Sequence, residues 1–342
     1  MAEPHKPADE GRDLVPPLPD ELYLEVTNRC NLTCKMCARN FHYKYEPERD
    51  LTLERFRAIA DQLPVLRRAV LHGIAEPLLN RELPAIIRYL KDRGTYVLFN
   101  TNGTLLDDGW QQSLIESGLD ELRVSLDAST PGTFLKIRAA PVFDKILDNL
   151  QGLLAKRQAR GADTPKVSIW FTAMRENIRE LPGLIRLAAE LAVDEVYLQR
   201  LVYFADGLAT KAQSLYRSGD PEVQRLIEAC EALSRELGVR FNASGATTPE
   251  RSLLEGYGGD PTPWTRCHRP WSLTYITANG NVLPCCIAPF AEKDFGELIL
   301  GNAFDEGVKT IWEGERYQRF RAKIQTAEPP ACCRGCGLCW SL

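Results

Sequence analysis

A cluster of three cysteines near the start of the chain limits its possible folds and functions more than any other sequence feature. Cys30, Cys34 and Cys37 are separated by three and then two residues, after an alternating apolar stretch over residues 21–27 that predicts a strand. Three thiolates from one loop can hold three irons of a cubane iron–sulfur cluster and leave the fourth open, since closed clusters and structural zinc sites take four protein ligands. The alternative is a loop of buried or zinc-binding cysteines.

The order of strand, cysteine loop and helix resembles the signature of the radical S-adenosylmethionine (SAM) superfamily. This resemblance implies a [4Fe-4S] cluster whose open iron binds the amino and carboxylate groups of SAM. It also implies reductive cleavage of SAM to a 5'-deoxyadenosyl radical, which abstracts hydrogen from the substrate. Met36 stands directly before the third cysteine, and in this superfamily the residue at that place lies against the adenine.

The composition is that of an ordinary globular protein with metal sites. The chain has 342 residues, of which 44% are hydrophobic and 26% charged, enough for one large domain and one small one. A net charge of −4 without a basic block disfavours nucleic acid as a partner, and no apolar run is long enough to span a membrane. Eleven cysteines without an N-terminal signal sequence indicate metal sites and not disulfides, so we expect a cytoplasmic protein.

Strand and helix patterns alternate along the first two thirds of the chain. This order predicts parallel strands with outer helices, an α/β fold that forms a partial (β/α)6 TIM-like barrel with its active site at the C-terminal strand ends. The predicted strands cover residues 21–27, 68–72, 96–99, 122–126, 167–172 and 195–201. The predicted regions are a flexible N-terminal arm (1–19), the barrel (20–205), a helical connector and loop (206–262) and a small Fe–S domain (263–342).

A turn after the second predicted strand extends the resemblance. The run Gly73-Ile-Ala75-Glu76-Pro77 corresponds to the Gly-Gly-Glu-Pro turn that meets the SAM amino group in the superfamily, with Ala75 in place of the usual glycine. The resemblance implies that the backbone of this turn accepts a hydrogen bond from the amine and that Glu76 adds negative charge beside it. A turn with an exposed Glu76 is the alternative.

Polar residues after the later strands complete the SAM site that the resemblance implies. Ser125 and Asp127 are two residues apart, so their side chains point to one side of a strand, where they suit the ribose hydroxyls. The guanidinium of Arg138 suits the SAM carboxylate, and a surface position is its alternative. The full predicted SAM-binding set is Met36, Gly73, Ala75, Glu76, Asn100, Asn102, Ser125, Asp127, Arg138 and Gln199.

A second group of seven cysteines lies between residues 267 and 339. The chain between Cys267 and Cys285 alternates and contains a turn signal at residues 278–281, which predicts a β-hairpin. The tail supplies a further series, Cys332-Cys333-Arg-Gly-Cys336-Gly-Leu-Cys339. A pair of thiolates from the hairpin and a pair from the tail would make four ligands.

This C-terminal region resembles the SPASM/twitch extension of radical SAM enzymes, including its Leu300-Gly301-Asn302 and Ile311-Trp312 segments. The cysteine series is short for two auxiliary clusters, so the resemblance implies one auxiliary [4Fe-4S] cluster, with zinc or a second cluster as alternatives. Cys339 could replace either member of the tail pair, and Cys286 and Cys332 have no assigned role. The predicted ligands are Cys267, Cys285, Cys333 and Cys336.

Four protein ligands leave no free iron for a substrate, so an auxiliary cluster would accept or pass one electron. Enzymes of this compact architecture act on sugars, aminocyclitols and nucleosides, and residues 1–19 are too short for the peptide-binding domain of many peptide maturases. We therefore expect a small-molecule substrate and, most specifically, decarboxylation of a glucuronyl nucleoside of the cytosylglucuronic acid type on a blasticidin-type antibiotic pathway. Arg200 or Lys44 would hold its carboxylate. An external reductant such as flavodoxin or ferredoxin would supply electrons.

Three alternative functions remain open from the sequence. A dehydrogenase of an aminocyclitol or sugar alcohol would need a base for the hydroxyl proton, and no residue is singled out as a catalytic acid or base. A peptide (RiPP) maturase would use related chemistry on a larger substrate. A non-catalytic Fe–S electron carrier is disfavoured by the SAM-type motifs.

Overall fold

A ten-stranded, mostly parallel sheet organises the computed structural model of this protein. The model describes residues 11–39, 46–203, 207–245, 247–254, 260–291 and 295–336. The strand order across the sheet is β10-β9-β8-β1-β2-β3-β4-β5-β6-β7. The strands are β1 (Glu21–Leu24), β2 (Arg68–Val70), β3 (Tyr96–Thr101), β4 (Glu121–Ser125), β5 (Lys166–Ala173), β6 (Glu195–Arg200), β7 (Arg240–Ala243), β8 (Leu273–Ile276), β9 (Asn281–Leu283) and β10 (Gly301–Asn302).

Helices connect these strands and cover the sheet. None of those described is long and apolar enough to cross a membrane. They are α1 (Leu53–Ala60), α2 (Leu83–Asp92), α3 (Asp108–Glu116), α4 (Pro131–Arg138), α5 (Phe143–Ala159), α6 (Leu181–Glu190), α7 (Pro221–Glu236), α8 (Pro249–Leu254), α9 (Arg269–Ser272), α10 (Ala288–Ala291), α11 (Val308–Glu313), α12 (Glu315–Ile324) and α13 (Ala331–Arg334).

Strands β1 to β7 are parallel and follow one another in sequence order, so each connection crosses over to the next strand. Leu22, Phe99 and Ile169 of the strands are fully buried and share one core with Ile87 of α2 and Leu150 of α5. Because the strands are parallel, their C-terminal ends meet at one rim. The predicted α/β fold with a partial barrel is confirmed, and all the barrel motifs lie on that rim.

The seventh strand is a difference from the sequence prediction, which assigned residues 206–242 to helix. Helix α7 ends at Glu236, Gly238 turns the chain with φ +70°, and β7 then pairs with β6 from Glu195 opposite Arg240 to Leu198 opposite Ala243. The strand has only four residues, so its alternating pattern is too short to identify from the sequence. Pairing with the edge of an existing sheet determines its conformation.

The C-terminal region joins the barrel sheet directly through β8, which runs parallel to β1. The predicted hairpin is confirmed, since β8 and β9 pair antiparallel around the turn at residues 277–280. Glu25, just after β1, is fully buried and holds this junction together. Its Oε1 accepts a hydrogen bond of 2.6 Å from the Tyr275 hydroxyl, and its Oε2 accepts one of 3.4 Å from the Ala278 amide.

Residues 11–19 are ordered against the C-terminal region, in contrast to the predicted flexible arm. Arg12 Nη1 donates to the Cys267 carbonyl at 2.6 Å, and Trp312 Nε1 donates to the Pro16 carbonyl at 3.0 Å. Arg321 Nη1 donates to the Leu14 carbonyl at 2.8 Å. This N-terminal strap, residues 11–19, therefore packs beside the first cysteine of the second group. Residues 1–10 lie outside the described residues.

Arg321 connects several segments of this region by hydrogen bonds, and its removal is expected to destabilise the C-terminal region. The side chain is fully buried, donates to the carbonyls of Pro270, Trp312 and Leu14, and lies 4.0 Å from the Tyr317 ring centroid. Arg321→Met should lower the free energy of unfolding by about 3 kcal/mol or more, since a buried carbonyl left without its donor costs about 1–3 kcal/mol.

The matched control is Arg319→Met on the same helix, because Arg319 is 70% exposed and pairs with exposed Glu315. It should change stability by less than about 1 kcal/mol. Urea unfolding of both variants, followed by circular dichroism, measures the difference. Equal stability of the two variants would contradict the role given to Arg321.

Candidate active site and auxiliary cysteine site

The first cysteine loop follows β1 and is fastened on both sides by backbone hydrogen bonds. The Glu76 amide donates to the Arg29 carbonyl at 2.9 Å, and the Lys35 amide donates to the Ile137 carbonyl at 2.9 Å. The loop therefore lies between the turn after β2 and the end of α4. Within it, the amide of Cys37 donates to the carbonyl of the buried Cys34 at 3.0 Å.

Burial shifts the pKa values of two thiols in this loop. It raises the pKa of Cys37 to about 12 and also raises the pKa of Cys30, where the nearby Glu76 adds to the effect. Arg138 Nη1 lies 3.7 Å from Cys34 Sγ. Because iron binds thiolates, loading a cluster here must release protons.

Glu76 is 1% exposed and links the turn after β2 to the end of β3. Its carboxylate accepts hydrogen bonds from Thr101 Oγ1 at 2.7 Å, the Leu78 amide at 3.1 Å and the Asn102 amide at 2.7 Å. Burial raises its pKa to about 7, although these hydrogen bonds and the charge of Arg138 act in the opposite direction. The exposed alternative is therefore wrong, and the side chain positions the turn.

A side chain at position 73 would clash with a neighbouring residue, so close packing requires glycine there. A Cβ at this position would lie 2.2 Å from Oε1 of Glu25, the buried carboxylate that joins the barrel to β8. The residue was predicted only as a cofactor contact, and nothing in its sequence neighbourhood indicated Glu25. Ala75 is half-buried in the same turn.

Asn102 anchors the cysteine loop to the end of β3. Its Nδ2 donates to Asn31 Oδ1 at 2.9 Å, and its Oδ1 accepts from the Thr104 hydroxyl at 2.7 Å. Asn31 in turn donates to that hydroxyl at 2.7 Å. Sequence reasoning missed Asn31 and Thr104, which hold the loop in place. Asn100 differs, because its Oδ1 is buried and has no hydrogen-bond partner among the described residues.

Asp127 corrects one prediction. Its carboxylate is fully buried, accepts from the Thr172 amide at 2.8 Å and forms an ion pair with Arg138. A direct contact with the SAM ribose is therefore not supported, and Asp127 orients Arg138 instead. Arg138 is 8% exposed, so its surface alternative is wrong, and its Nε has no hydrogen-bond partner within the described part of the chain.

Met36 provides an apolar surface beside this polar group. It packs with Ile137, Met174, Leu201 and Tyr203 in one cluster. Such a surface suits the adenine position that the resemblance implied for Met36.

The remaining predicted residues fall into three situations. Ser125 and Gln199 are half-buried at the ends of β4 and β6. Arg200 is buried, donates from Nε to the Ser252 carbonyl at 2.7 Å and lies 4.4 Å from the Tyr216 ring centroid, so it is not positioned as a simple carboxylate clamp. Lys44 lies outside the described residues.

The donor set of this rim fits a cluster-bound SAM. Three thiols stand on one loop, the Asn100 oxygen and the Arg138 Nε are buried polar atoms without described partners, and Met36 offers an apolar surface. Buried polar atoms are nearly always hydrogen-bonded in native proteins. A ligand with an amine or hydroxyl, a carboxylate and an aromatic base would satisfy all three features.

The second cysteine group forms a separate recess, whose walls include five cysteines. Among the described residues, no three Cys, His, Asp or Glu side chains converge closely enough to hold one metal ion. A cubane cluster takes thiolates that stand further apart than those of a structural zinc site, so the walls of this recess suit an Fe–S cluster. The five cysteines are Cys267, Cys285, Cys332, Cys333 and Cys336.

All four predicted auxiliary ligands line the recess, together with Cys332, which had no assigned role. Cys332 Sγ lies 4.0 Å from Cys333 Sγ. Burial raises the pKa of Cys285 well above its ordinary value, and the neighbouring thiols add to the effect. Cys286 does not line the recess, and Cys339 lies outside the described residues.

Arg269 also lines the recess and was missed by sequence reasoning. Burial opposes its charge, but the thiols of Cys286 and Cys267 and their neighbours raise its pKa above the ordinary value. A cation beside the sulfurs stabilises added negative charge and thus favours the reduced state of a cluster.

Removing one auxiliary ligand is expected to lower the iron content by half. Anaerobically loaded protein should hold about eight irons, and Cys336→Ala should hold about four, because each cubane has four irons. Cys286→Ala is the matched control, since that residue lies next to the recess without lining it. Iron analysis would contradict the assignment if Cys286→Ala lost four irons and Cys336→Ala lost none.

Comparison with known protein families agrees with this arrangement of two cysteine sites. Residues 24–188 match the sequence model of the Radical SAM superfamily. Residues 267–337 match the model of SPASM, described as an iron–sulfur cluster-binding domain. The two matches include the first cysteine loop and the second recess respectively.

Individual proteins are similar over most of the chain. A tungsten-containing aldehyde ferredoxin oxidoreductase cofactor-modifying protein of Pyrococcus furiosus is 26% identical, covering 91% of this chain and 85% of that protein. A PqqA peptide cyclase of Xanthomonas axonopodis pv. citri is 27% identical, covering 94% and 81%. The structure of Streptococcus suis SuiB bound to precursor peptide SuiA has the same fold, with a TM-score of 0.64 and 16% identity, covering 87% of this chain but 65% of SuiB.

Proposed function

We propose that this chain is a radical SAM enzyme with a C-terminal SPASM domain and that its substrate is a peptide. The cofactors are SAM, the [4Fe-4S] cluster that binds it and an auxiliary Fe–S cluster. The observation that carries the proposal is the extent of the similarity to PqqA peptide cyclase, which covers 94% of this chain. Peptide maturation was one of the alternatives left open by the sequence.

The proposed roles of the residues fall into two groups, one at the first cysteine loop and one at the second recess. Cys30, Cys34 and Cys37 would hold the first cluster, while Arg138 would orient the SAM carboxylate and Asn100 would satisfy a polar group of the same ligand. When bound and reduced, the cluster and SAM together supply a 5'-deoxyadenosyl radical. The thiols of the second recess would hold the auxiliary cluster, which can take up the electron that a substrate radical loses when it is oxidised to product.

The expectation of a glucuronyl nucleoside decarboxylase is not supported. The relatives named above include a peptide cyclase and a cofactor-modifying protein, and no decarboxylase. Arg200, one of the two residues expected to hold a substrate carboxylate, is buried and bonded to the Ser252 carbonyl. The expectation rested on the short length of residues 1–19, which says little about peptide binding at the barrel rim. A flavodoxin or ferredoxin reductant remains a prediction.

The experiment uses anaerobically loaded protein with SAM, dithionite and synthetic peptides that correspond to short reading frames beside its gene. We expect one peptide to stimulate 5'-deoxyadenosine formation and to lose two hydrogens by mass spectrometry, as an internal cross-link requires. Protein without the first cluster is the control. Stimulation by a glucuronyl nucleoside with release of carbon dioxide, and by no peptide, would overturn the proposal.

A further inference from the structure

A cleft of about 400 Å³ opens on the rim, at the ends of β5 and β6. Arg175 stands two residues after the end of β5, and Tyr203 three residues after the end of β6. The volume of the cleft lies within the roughly 300–1,000 Å³ common for ligand-binding pockets. The cleft is lined by Arg175, Tyr203, Lys211, Ala212, Ser214, Tyr216, Arg217 and Ser218.

The cleft adjoins the SAM site and is separate from the auxiliary recess. Tyr203 lines the cleft and also packs in the apolar cluster that contains Met36 and Met174. Met174 forms a backbone bridge with Ser214 on the cleft wall. A chain that occupied the cleft would therefore continue past Tyr203 toward the place where hydrogen is abstracted.

The walls of the cleft carry three cations and no acidic residue, although the chain as a whole has a net charge of −4. Arg175 is partly neutralised by Asp220 at 3.2 Å. Lys211 and Arg217 are exposed and form no ion pair with any described residue. Two positive charges thus face the open cleft without an internal counter-charge, which favours an anionic ligand.

The cationic wall is held in place by the fold. The Arg217 amide donates to the Leu253 carbonyl at 2.7 Å, and the residue has a φ of +54°. The ring of its neighbour Tyr216 packs against the guanidinium of the buried Arg200. The Cζ atom of Arg200 lies 4.4 Å from the centroid of that ring. The side chain of Arg217 therefore starts from a backbone position set by two neighbouring segments.

We infer that this cleft binds an acidic segment of the substrate peptide, with Asp or Glu carboxylates beside Lys211 and Arg217. The inference rests on the proposed peptide substrate and adds its chemical class. Charged groups at the rim of a binding site mainly provide specificity and orientation. Binding an acidic segment here would set which residue of the peptide reaches the site beside Met36.

The test measures binding of two fluorescein-labelled peptide pools to the loaded protein with SAM, by fluorescence anisotropy. One pool has Glu at three fixed positions with random residues elsewhere, and the other has Gln at those positions. We expect the Glu pool to bind about tenfold more tightly, as two partly exposed charge pairs allow. The preference should weaken with added salt.

The double variant Lys211→Gln and Arg217→Gln should remove this preference. The matched control, Lys309→Gln and Arg319→Gln, removes the same charge from exposed positions of the C-terminal region and should retain it. Equal binding of both pools, or an unchanged preference in the Lys211 and Arg217 variant, would overturn the inference and leave the peptide function standing. Failure of the proposed function would instead appear as absence of any peptide modification.

Discussion

Cys30→Ala is expected to abolish SAM cleavage. The residue lies on the loop whose three thiols would each take one iron, and a cluster with two protein ligands in a half-exposed loop would not keep its structure. The measurement is 5'-deoxyadenosine formed under dithionite by anaerobically loaded protein. Iron analysis of the same sample should show about four irons remaining, held by the auxiliary site.

Cys230→Ala supplies the matched control, because it makes the same substitution at a cysteine remote from both sites. Cys230 is fully buried in α7, and burial raises its pKa to about 12. Its loss should affect packing only and leave the rate of SAM cleavage near that of the unmodified protein. Full turnover by Cys30→Ala would contradict the assignment of the first cysteine loop.

Arg138→Met is expected both to destabilise the barrel and to weaken SAM binding. The substitution leaves the fully buried Asp127 without its cation. Breaking a buried pair in this way costs about 3–5 kcal/mol of unfolding free energy. The same change removes Nε and Nη1, the atoms that we expect to meet the SAM carboxylate and the Cys34 thiolate.

Arg138→Lys separates the two effects, because it keeps the charge beside Asp127 but loses the planar, two-pronged geometry. It should be more stable than Arg138→Met and still bind SAM weakly. Arg179→Met removes an arginine from an exposed pair with Glu222 and should change neither property. Urea unfolding measures the stability of these variants, and equilibrium dialysis measures how tightly they bind SAM. If Arg138→Met matched Arg179→Met in both, the role given to Arg138 would be wrong.

The chemistry of the two cysteine sites could be predicted because its signals are local. Metal ligation needs particular side chains at short spacings, and Cys30, Cys34 and Cys37 carry that information within eight residues. The alternation of strand and helix patterns is local as well, so the barrel and the hairpin before Cys285 followed from it. The substrate could not be inferred in the same way, since the cleft that we propose for it, at Lys211 and Arg217, is assembled from loops that carry no motif.

The order of the first six strands and the candidate cluster ligands could thus be predicted from the chain's residue pattern. Burial and pairing could not, because they depend on contacts between distant segments. A surface position stayed open for Arg138 and nothing in the sequence marked Arg321, until the fold surrounds them with a carboxylate and carbonyls. The need for glycine at position 73 arises from its contact with Glu25, which forms only when β1, β2 and β8 come together. Residues 11–19 likewise take their place only by packing on the C-terminal region. Tertiary packing decides such cases because the free energy of a buried polar group depends on the partners that folding brings to it.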